Sequence, residues 1–486
     1  MYFCILLKSI LSRDIVYQYI HSRFFCIKLV TINLKINISF EFPVMRDNQY
    51  LVGNFAPLED ELTTETLSVT GKIPQELDGC LARIGPNPID PDPTTHHWFL
   101  GSGMVHGLYL RDGKALKFHS RFVRDDDVVE KFNLPEISGP RGSLQLGSGV
   151  VNTNIMKHAG KTFALVEAGN LPIEMNERLD TIQRTNLEGT LPGGFSAHPH
   201  FDPDTGELHA AVYSPLWHHI QHLVIDNMGL VNRAVDVPVP GQPMVHDCMI
   251  TKQYFILLDL PVILDQEVFE AGFSLPYKWH PEYGARIGLL PRDGAAHEVT
   301  WHEVEPCYVF HPMNAFEDES GTVIIDVVRH SKMFDKDRLG PSEGIGNLYR
   351  WEISSSDGKV RESQIDDAVI EFPRINESRI GKNYRYGYVS TFTKGFSPNG
   401  LKKYDLVSGR SEIYSVGDHK AFMEPVFIAK ENASEEDDGW LLSYSYDQNI
   451  DSSDVVILDA CNISDGPVAT IHLPRRVPFG FHGNWL

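Results

Sequence analysis

Short apolar runs alternate with polar turn residues along most of the chain, from about residue 54 onward. Turn signals such as Asp112-Gly113, Asp357-Gly358 and Asp438-Gly439 recur roughly every 8–15 residues. Gly and Asp supply the positive φ angles and local hydrogen bonds that tight hairpins need. The runs between them have strand character, at 162–166, 208–213, 254–258, 322–328, 440–444 and 455–458. The pattern predicts many short antiparallel strands and almost no amphipathic helix.

Evenly spaced short strands predict an all-β fold, either a large sandwich or a β-propeller. The length of 486 residues favours the propeller. No exact sequence repeat is visible, so the blades of such a propeller have diverged. Two stacked all-β domains remain the alternative on the pattern alone. A hydrophobic content of 42% is sufficient for a large core in either arrangement.

Charge and cysteine content exclude some function classes. A formal net charge of −22 argues against a nucleic-acid partner, because an anionic surface would have to approach a polyanion. The six cysteines are scattered and contain no CxxC motif, which is typical of a reduced, intracellular protein. We therefore expect a cytoplasmic protein.

The first 44 residues differ from the remainder in composition, with basic residues outnumbering acidic ones. They contain neither an apolar run long enough to span a membrane nor a clear signal-peptide pattern. We expect residues 1–44 to be a disordered extension, a targeting sequence or a segment upstream of a true start at Met45. Residues 45–486 are predicted to form a single domain.

Four histidines lie beside small, acidic or aromatic residues in strand-like segments. They are His198, His246, His311 and His482. Their separations of 48, 65 and 171 residues form no local metal motif, and an isolated histidine is more often a core or surface residue than a ligand.

A second histidine group has the H-x3-H spacing that zinc sites use on helices, and it comprises His218, His219 and His222. No glutamate follows the first histidine, and the segment 217–224 reads as a strand. We therefore expect surface or loop positions for this group.

A series of motifs in a fixed order changes the interpretation of the first four histidines. The series includes RIGPNP at 83–88 and HWFLGSGMVH at 97–106, and it continues at 196–202, 246–247, 286–292, 310–316 and 473–483. In these motifs the chain resembles the carotenoid cleavage oxygenase family, over nearly all of residues 54–486. The resemblance implies a seven-bladed β-propeller with an iron site on its axis. It also implies a cap of loops and short helices that forms a substrate tunnel.

The resemblance further implies a set of site residues. By position, the family's four ligands to a single Fe(II) ion fall on His198, His246, His311 and His482, each from a different blade. Three glutamates fall where the family supports the last three of these histidines, namely Glu167, Glu371 and Glu424. Imidazole suits Fe(II), and metal-bound imidazoles usually donate their other N–H to a carboxylate. The neighbouring His200 is not a ligand in the family.

The implied activity is that of a dioxygenase that cleaves a C=C bond of an apolar polyene with O₂ into two carbonyl products. An electron-rich polyene supplies electrons itself, so no organic co-substrate is required. Thr153 falls where the family commonly has a threonine beside the iron, and we expect its methyl group to narrow the O₂ site.

Substrate choice divides the family. Stilbene-cleaving members have a lysine before the first supporting glutamate and a tyrosine nearby, which hold a phenolic hydroxyl. Here these positions are assigned to Val166 and Phe118, which favours a carotenoid or apocarotenoid because a buried phenolate would lack a cationic partner. Stilbene cleavage, isomerase chemistry and non-catalytic binding of apolar ligands remain alternatives. Peripheral membrane contact is an expectation from the family, and the oligomeric state is open.

Overall fold

Seven β-sheets of four to six strands build the part of the chain that the computed structural model describes, namely residues 48–145, 147–344, 346–393 and 397–486. The prediction of an all-β, seven-bladed propeller is confirmed. The expectation for residues 1–44 lies outside the described residues. The single domain from 45 to 486 stays a prediction.

We number the sheets as blades in chain order. Blade 1 contains β1 (Leu62–Thr64), β3 (Gly79–Pro86), β4 (Gly103–Arg111), β5 (Lys114–Phe122) and β33 (Gly483–Trp485). Blade 2 contains β6 (Asn154–His158), β7 (Lys161–Leu165), β8 (Ile173–Met175) and β9 (Thr181–Arg184). Blade 3 contains β10 (His200–Phe201), β11 (Leu208–Val212), β12 (His219–Ile225) and β13 (Val231–Pro238). Blade 4 contains β14 (Met249–Ile250), β15 (Tyr254–Asp259), β18 (Ala285–Pro291) and β19 (Thr300–Val304).

The remaining blades follow the same antiparallel pattern. Blade 5 contains β20 (Tyr308–Glu317), β21 (Val323–His330), β22 (Gly346–Ile353) and β23 (Val360–Gln364). Blade 6 contains β24 (Ile370–Arg374), β25 (Tyr386–Thr393), β26 (Ser397–Asp405) and β27 (Arg410–Tyr414). Blade 7 contains β2 (Ser68–Gly71), β28 (Lys420–Phe422), β29 (Val426–Ala429), β30 (Gly439–Asp447), β31 (Ser452–Asp459) and β32 (Pro467–His472).

Hydrophobic clusters between successive blades hold the ring together. One cluster joins blades 2 and 3, a large one joins blades 3 to 5, and others join 5 to 6, 6 to 7, 7 to 1 and 1 to 2. The ring closes by strand exchange, because β33 pairs with β3 in blade 1 and β2 pairs with β32 in blade 7. Both ends of the described chain therefore contribute to closure, and closure leaves the sheets only short, protected edges.

The strand sequences reflect depth within a blade. Middle strands are covered on both faces and read as continuous apolar runs, as in β15, where five of six residues are buried. Outer strands such as β13 alternate half-buried and exposed residues, as expected for a strand with one solvated face. The hairpin between β4 and β5 turns on Asp112 and Gly113, whose φ angles of 51° and 69° match a tight two-residue turn.

Short helices lie in the loops between strands, and those at Trp98–Leu100 and Gln266–Glu270 belong to a cap over one end of the ring. The α-helices are α1 (Asp126–Phe132) and α2 (Gln266–Glu270). The 3₁₀ helices are Gln49–Leu51, Gly53–Phe55, Trp98–Leu100, Pro281–Tyr283, Ala296–Glu298, Glu377–Arg379 and Ile463–Asp465. A two-stranded sheet of β16 (Val262–Leu264) and β17 (Tyr277–Trp279) completes the cap. Across the described ranges, no helix is both long and apolar enough to span a membrane.

Candidate metal centre

Four histidines from four different blades converge at the centre of the ring. They are His198, His246, His311 and His482, and all four are buried. Their candidate ligand atoms lie within 4.8 Å of one another. Neighbouring ring centroids are 4.5 Å apart for His198 and His246, and 4.8 Å apart for His311 and His482. Residues as far apart in the chain as His198 and His482 thus form one compact group of imidazoles.

The inner strand of each blade positions its histidine. His198 precedes β10, His246 precedes β14, and His482 precedes β33. The fourth, His311, lies within β20 beside Pro312, where the pairing register with β21 shifts. A proline cannot donate to the strand ladder, and such irregularities redirect side chains.

Three of these histidines are backed by the three predicted glutamates. Glu167 Oε2 lies 2.7 Å from His246 Nδ1. Glu371 Oε2 lies 2.6 Å from His311 Nδ1, and Glu424 Oε1 lies 2.9 Å from His482 Nδ1. A carboxylate facing Nδ1 holds the proton on that nitrogen, so Nε2 presents its lone pair to the centre.

These lone pairs face one another. His311 Nε2 is 3.2 Å from Nε2 of both His246 and His482. A proton on His311 Nε2 can form a hydrogen bond to only one of these two nitrogens, so the other nitrogen is left without a hydrogen bond from His311. The buried Nε2 of His198 has no hydrogen-bond partner among the described residues. Burial, then the neighbouring histidines, lowers the pKa of His198 well below its usual value, so this ring is neutral.

A metal cation satisfies all four nitrogens at once. Metal–imidazole bonds of about 2.1 Å place adjacent ligand nitrogens roughly 3 Å apart, close to the separations seen here. Imidazole is a ligand for zinc, copper, iron and nickel. The four buried histidines therefore form a site that can bind a metal ion.

The three glutamates have different second partners. Glu371 also bonds His330 Nε2 at 2.9 Å, and burial of Glu371 is outweighed by the two histidines, which lower its pKa. Glu424 accepts the Gly483 N–H at 2.7 Å and lies 3.3 Å from Arg374. Burial raises the pKa of Glu424, but the opposing effects of His482 and Arg374 bring it to about 2.

Glu167 has a neutral neighbour instead, the Tyr213 hydroxyl, which donates to Oε1 at 3.0 Å. Sequence analysis missed Tyr213, His330 and Arg374. They are 46, 41 and 50 residues from the glutamates they contact, and no local pattern identifies them.

Thr153 lies near the histidines, in the wall of a cavity that they also line. It precedes β6, and its carbonyl accepts the His482 N–H at 3.2 Å. Its hydroxyl donates to Asn152 Oδ1 at 3.0 Å, and Thr153 forms part of the wall of the adjoining cavity.

Two cavities meet at the four histidines. The larger, about 870 Å³, is lined mostly by apolar side chains of the cap, and we call it the apolar tunnel. It reaches His246, His311 and His482. The smaller, about 370 Å³, contains several charged and amide groups, and we call it the polar cavity. It reaches His198, His311 and His482 from the other side of the ring.

Val166 lies in the wall of the apolar tunnel. Phe118 does not, since it is fully buried in the cluster between blades 7 and 1. The prediction that Phe118 helps to select the substrate is wrong, because its strand directs the ring into the blade core.

The other histidine group is scattered by its strand. His218 is exposed and His219 is half-buried. His222 is fully buried, stacks on Phe255 and bonds His209 at 3.0 Å. The expected surface or loop position is therefore wrong for His222. The reason is that β12 is covered on both faces where His222 lies.

Known proteins resemble this chain over nearly its whole length. The family model described as Retinal pigment epithelial membrane protein matches residues 55–486. A carotenoid cleavage oxygenase of Mycobacterium tuberculosis is 40% identical over 489 residues, covering 90% of this chain and 97% of that protein.

Two solved structures have the same fold. The Pseudomonas brassicacearum lignostilbene dioxygenase superposes with a TM-score of 0.81 at 25% identity, covering 90% of this chain and 98% of that chain. Cobalt-substituted Synechocystis apocarotenoid oxygenase superposes with a TM-score of 0.79 at 29% identity, covering 88% and 97%.

Proposed function

This chain belongs to the retinal pigment epithelial membrane protein family, and on that premise we propose that its four central histidines hold one ferrous ion per subunit. The protein is a dioxygenase that cleaves a C=C bond of a carotenoid or apocarotenoid. Each carbon of the broken bond takes one oxygen atom from O₂, giving two carbonyl products.

One observation carries this proposal: the four imidazoles converge on one point, and three of them line the inner end of an apolar tunnel. Fe(II) bound there supplies the redox chemistry that lets O₂ react with the polyene. Neutral ligands leave the cation its charge, and four protein ligands leave positions open. The three glutamates keep the nitrogen lone pairs aimed inward, and their charge offsets that of the ion.

The tunnel suits a polyene because its wall is largely apolar and aromatic. Phe99, Phe310 and Phe481 form edge-to-face contacts beside the histidines. Such a wall excludes water and binds a hydrocarbon by burial of apolar surface. We propose that the Thr153 methyl group restricts the space for O₂ on this side of the ion.

A stilbene or another phenylpropenoid is the second candidate substrate, and Tyr277 favours it. The Tyr277 hydroxyl is buried in the tunnel wall without a hydrogen-bond partner among the described residues. Burial, followed by the charge of Glu167, raises the pKa of Tyr277, so it remains a neutral donor. A substrate oxygen would satisfy this donor. Val166 offers no cation, so this donor suits the neutral phenol hydroxyl of such a substrate and not a phenolate.

The tunnel mouth supports peripheral membrane contact, which we propose as the way in which apolar substrate is collected. Leu216 and Phe269 line the tunnel and are 68% and 59% exposed. Exposed apolar side chains of this size insert readily into a lipid surface. When lipid vesicles are sedimented by centrifugation, the native protein should sediment with them. The Leu216→Glu/Phe269→Glu double variant should remain in the supernatant.

Product analysis tests the proposed reaction. The Fe(II)-loaded protein is incubated with an apocarotenal and, separately, with a hydroxystilbene under ¹⁸O₂, and the products are identified by mass spectrometry. We expect two labelled carbonyl fragments from the apocarotenal alone. Protein loaded with Zn(II), which has no redox chemistry, is the matched control and should yield none.

Two results would change the proposal. Cleavage of the stilbene alone would establish the second candidate. No product from either compound, with one iron bound per chain, would favour a non-catalytic ligand-binding role.

A further inference from the structure

The polar cavity is separate from the proposed substrate tunnel, and it reaches three of the four histidines. It opens between exposed residues of the ring, including Lys157 and Glu377. Its wall carries a carboxylate and an imidazole next to the centre, Asp247 and His200. Charged and amide groups therefore line a path from the surface to the histidines, as a hydrated ion requires.

His200 and Asp247 form a second potential metal pair. His200 Nε2 lies 2.7 Å from Asp247 Oδ1, close to the roughly 3 Å that separates adjacent ligands of one ion. The third possible ligand nearby, Cys248, turns its thiol toward the His198 carbonyl at 3.7 Å.

Asp247 also differs from the other carboxylates of the cavity in its partners. Glu377 and Glu424 are both paired with Arg374. Within the described ranges, no lysine or arginine forms an ion pair with Asp247, whose contacts are His200, the Cys248 amide and His198. Its second oxygen lies 3.7 Å from His198 Nδ1. One carboxylate thus connects the outer pair to the central histidines.

The apolar tunnel is a poor route for a divalent cation. An ion that leaves water for an apolar wall loses its hydration, which costs several kcal/mol even after relaxation. The polar cavity replaces lost water by carboxylate, imidazole and amide groups. The apolar tunnel therefore suits an apolar substrate, and the polar cavity suits a metal ion.

We propose that the polar cavity is the route by which the metal ion reaches the four histidines, with His200 and Asp247 as a transient binding site on the way. This inference rests on the proposed metal centre. It assigns to the opposite face of the ring a function in metal uptake that is separate from substrate binding.

Uptake kinetics test this route. Metal-free protein is mixed with Co(II) in a stopped-flow instrument, and the visible absorption of imidazole-bound Co(II) is followed without O₂ or substrate. We expect His200→Ala and His200→Gln to slow uptake about tenfold, with the same final absorption as the native protein. Gln retains a hydrogen-bond donor to Asp247 but lacks the imidazole ligand.

His219→Ala is the matched control, since His219 also faces an aspartate, Asp236 at 3.6 Å, but lies outside both cavities. Its rate should equal that of the native protein. Native rates in both His200 variants would overturn the proposal, as would a native rate in His200→Gln alone. Absence of any Co(II) signal in the native protein would instead refute the metal centre itself.

Charge at the opening gives an independent measurement. Lys157→Glu should accelerate uptake severalfold at low ionic strength, and the gain should disappear in high salt. Lys161→Glu reverses a charge on the same blade outside the polar cavity and should change the rate much less. Equal rates for the two variants would count against the route.

Discussion

The two sides of the metal centre support their histidines differently. The three histidines that line the apolar tunnel, His246, His311 and His482, each face a glutamate at 2.6–2.9 Å. His198 faces only the polar cavity, and the nearest carboxylate oxygen that it meets, that of Asp247, is 3.7 Å away. Ligands that face the substrate are fixed in orientation, whereas the ligand nearest the proposed uptake route has room to adjust.

This contrast predicts different stability costs for two ligand deletions, and these are the largest effects we expect. His311→Ala leaves the buried Glu371 without the nearest of its partners, whereas after His198→Ala the buried Asp247 keeps its close contact with His200. In metal-free protein, His311→Ala should lower the free energy of unfolding by about 3–5 kcal/mol. His198→Ala should lower it by about 2 kcal/mol, the cost of the lost packing. Denaturant unfolding measures both.

The double variant His311→Ala/Glu371→Ala separates charge from packing. If the unpaired carboxylate causes the larger loss, removing it as well should restore part of the stability. Equal losses in the two single variants would mean that the glutamate support contributes little to folding.

The fold was readable from the sequence where burial is uniform. The predicted run at 254–258 coincides with β15, and that at 208–213 with β11, because middle strands are covered on both faces and appear as unbroken apolar segments. The strands that follow His198 and His246, namely β10 and β14, have two residues each and are too short to show a hydrophobic periodicity. Only the family resemblance pointed to the histidines beside them.

The errors concern side-chain direction. Phe118 was assigned to the substrate site by its position in the sequence alone. The face of the sheet on which its side chain lies depends on the strand register, and a single sequence does not specify that register. The second partners of the glutamates, such as His330 and Arg374, come from other strands and loops. Such contacts depend on topology and could not be predicted before the blades were placed.

Metal affinity gives the next largest effect. Glu371→Gln and Glu424→Gln should each weaken binding of Co(II) or Fe(II) about 10–100-fold, because the imidazole loses its negative acceptor. Asp247→Asn should change equilibrium affinity by less than about threefold, since its contact with His198 is long. Competition with a chromogenic chelator measures these affinities. A loss in Asp247→Asn as large as in the glutamate variants would remove the distinction between the two sides.

The smallest expected effect lies at Thr153, on the tunnel side. Its hydroxyl donates to Asn152, and we therefore attribute its proposed effect on O₂ to the methyl group. Thr153→Ala and Thr153→Ser both lack this methyl group, and each should change the KM for O₂ about two- to fivefold, because displacing one methyl contact is worth about 1 kcal/mol or less. Thr153→Val keeps the methyl group but loses the hydroxyl, and its KM for O₂ should stay near the native value. The dependence of the initial rate on O₂ concentration, measured at saturating polyene, distinguishes the variants.

If Thr153→Val behaves like Thr153→Ala while Thr153→Ser keeps the native KM for O₂, the hydrogen bond to Asn152 and not the methyl group determines the use of O₂. The role of Thr153 would then be to hold the strand beside His482, whose N–H its carbonyl accepts.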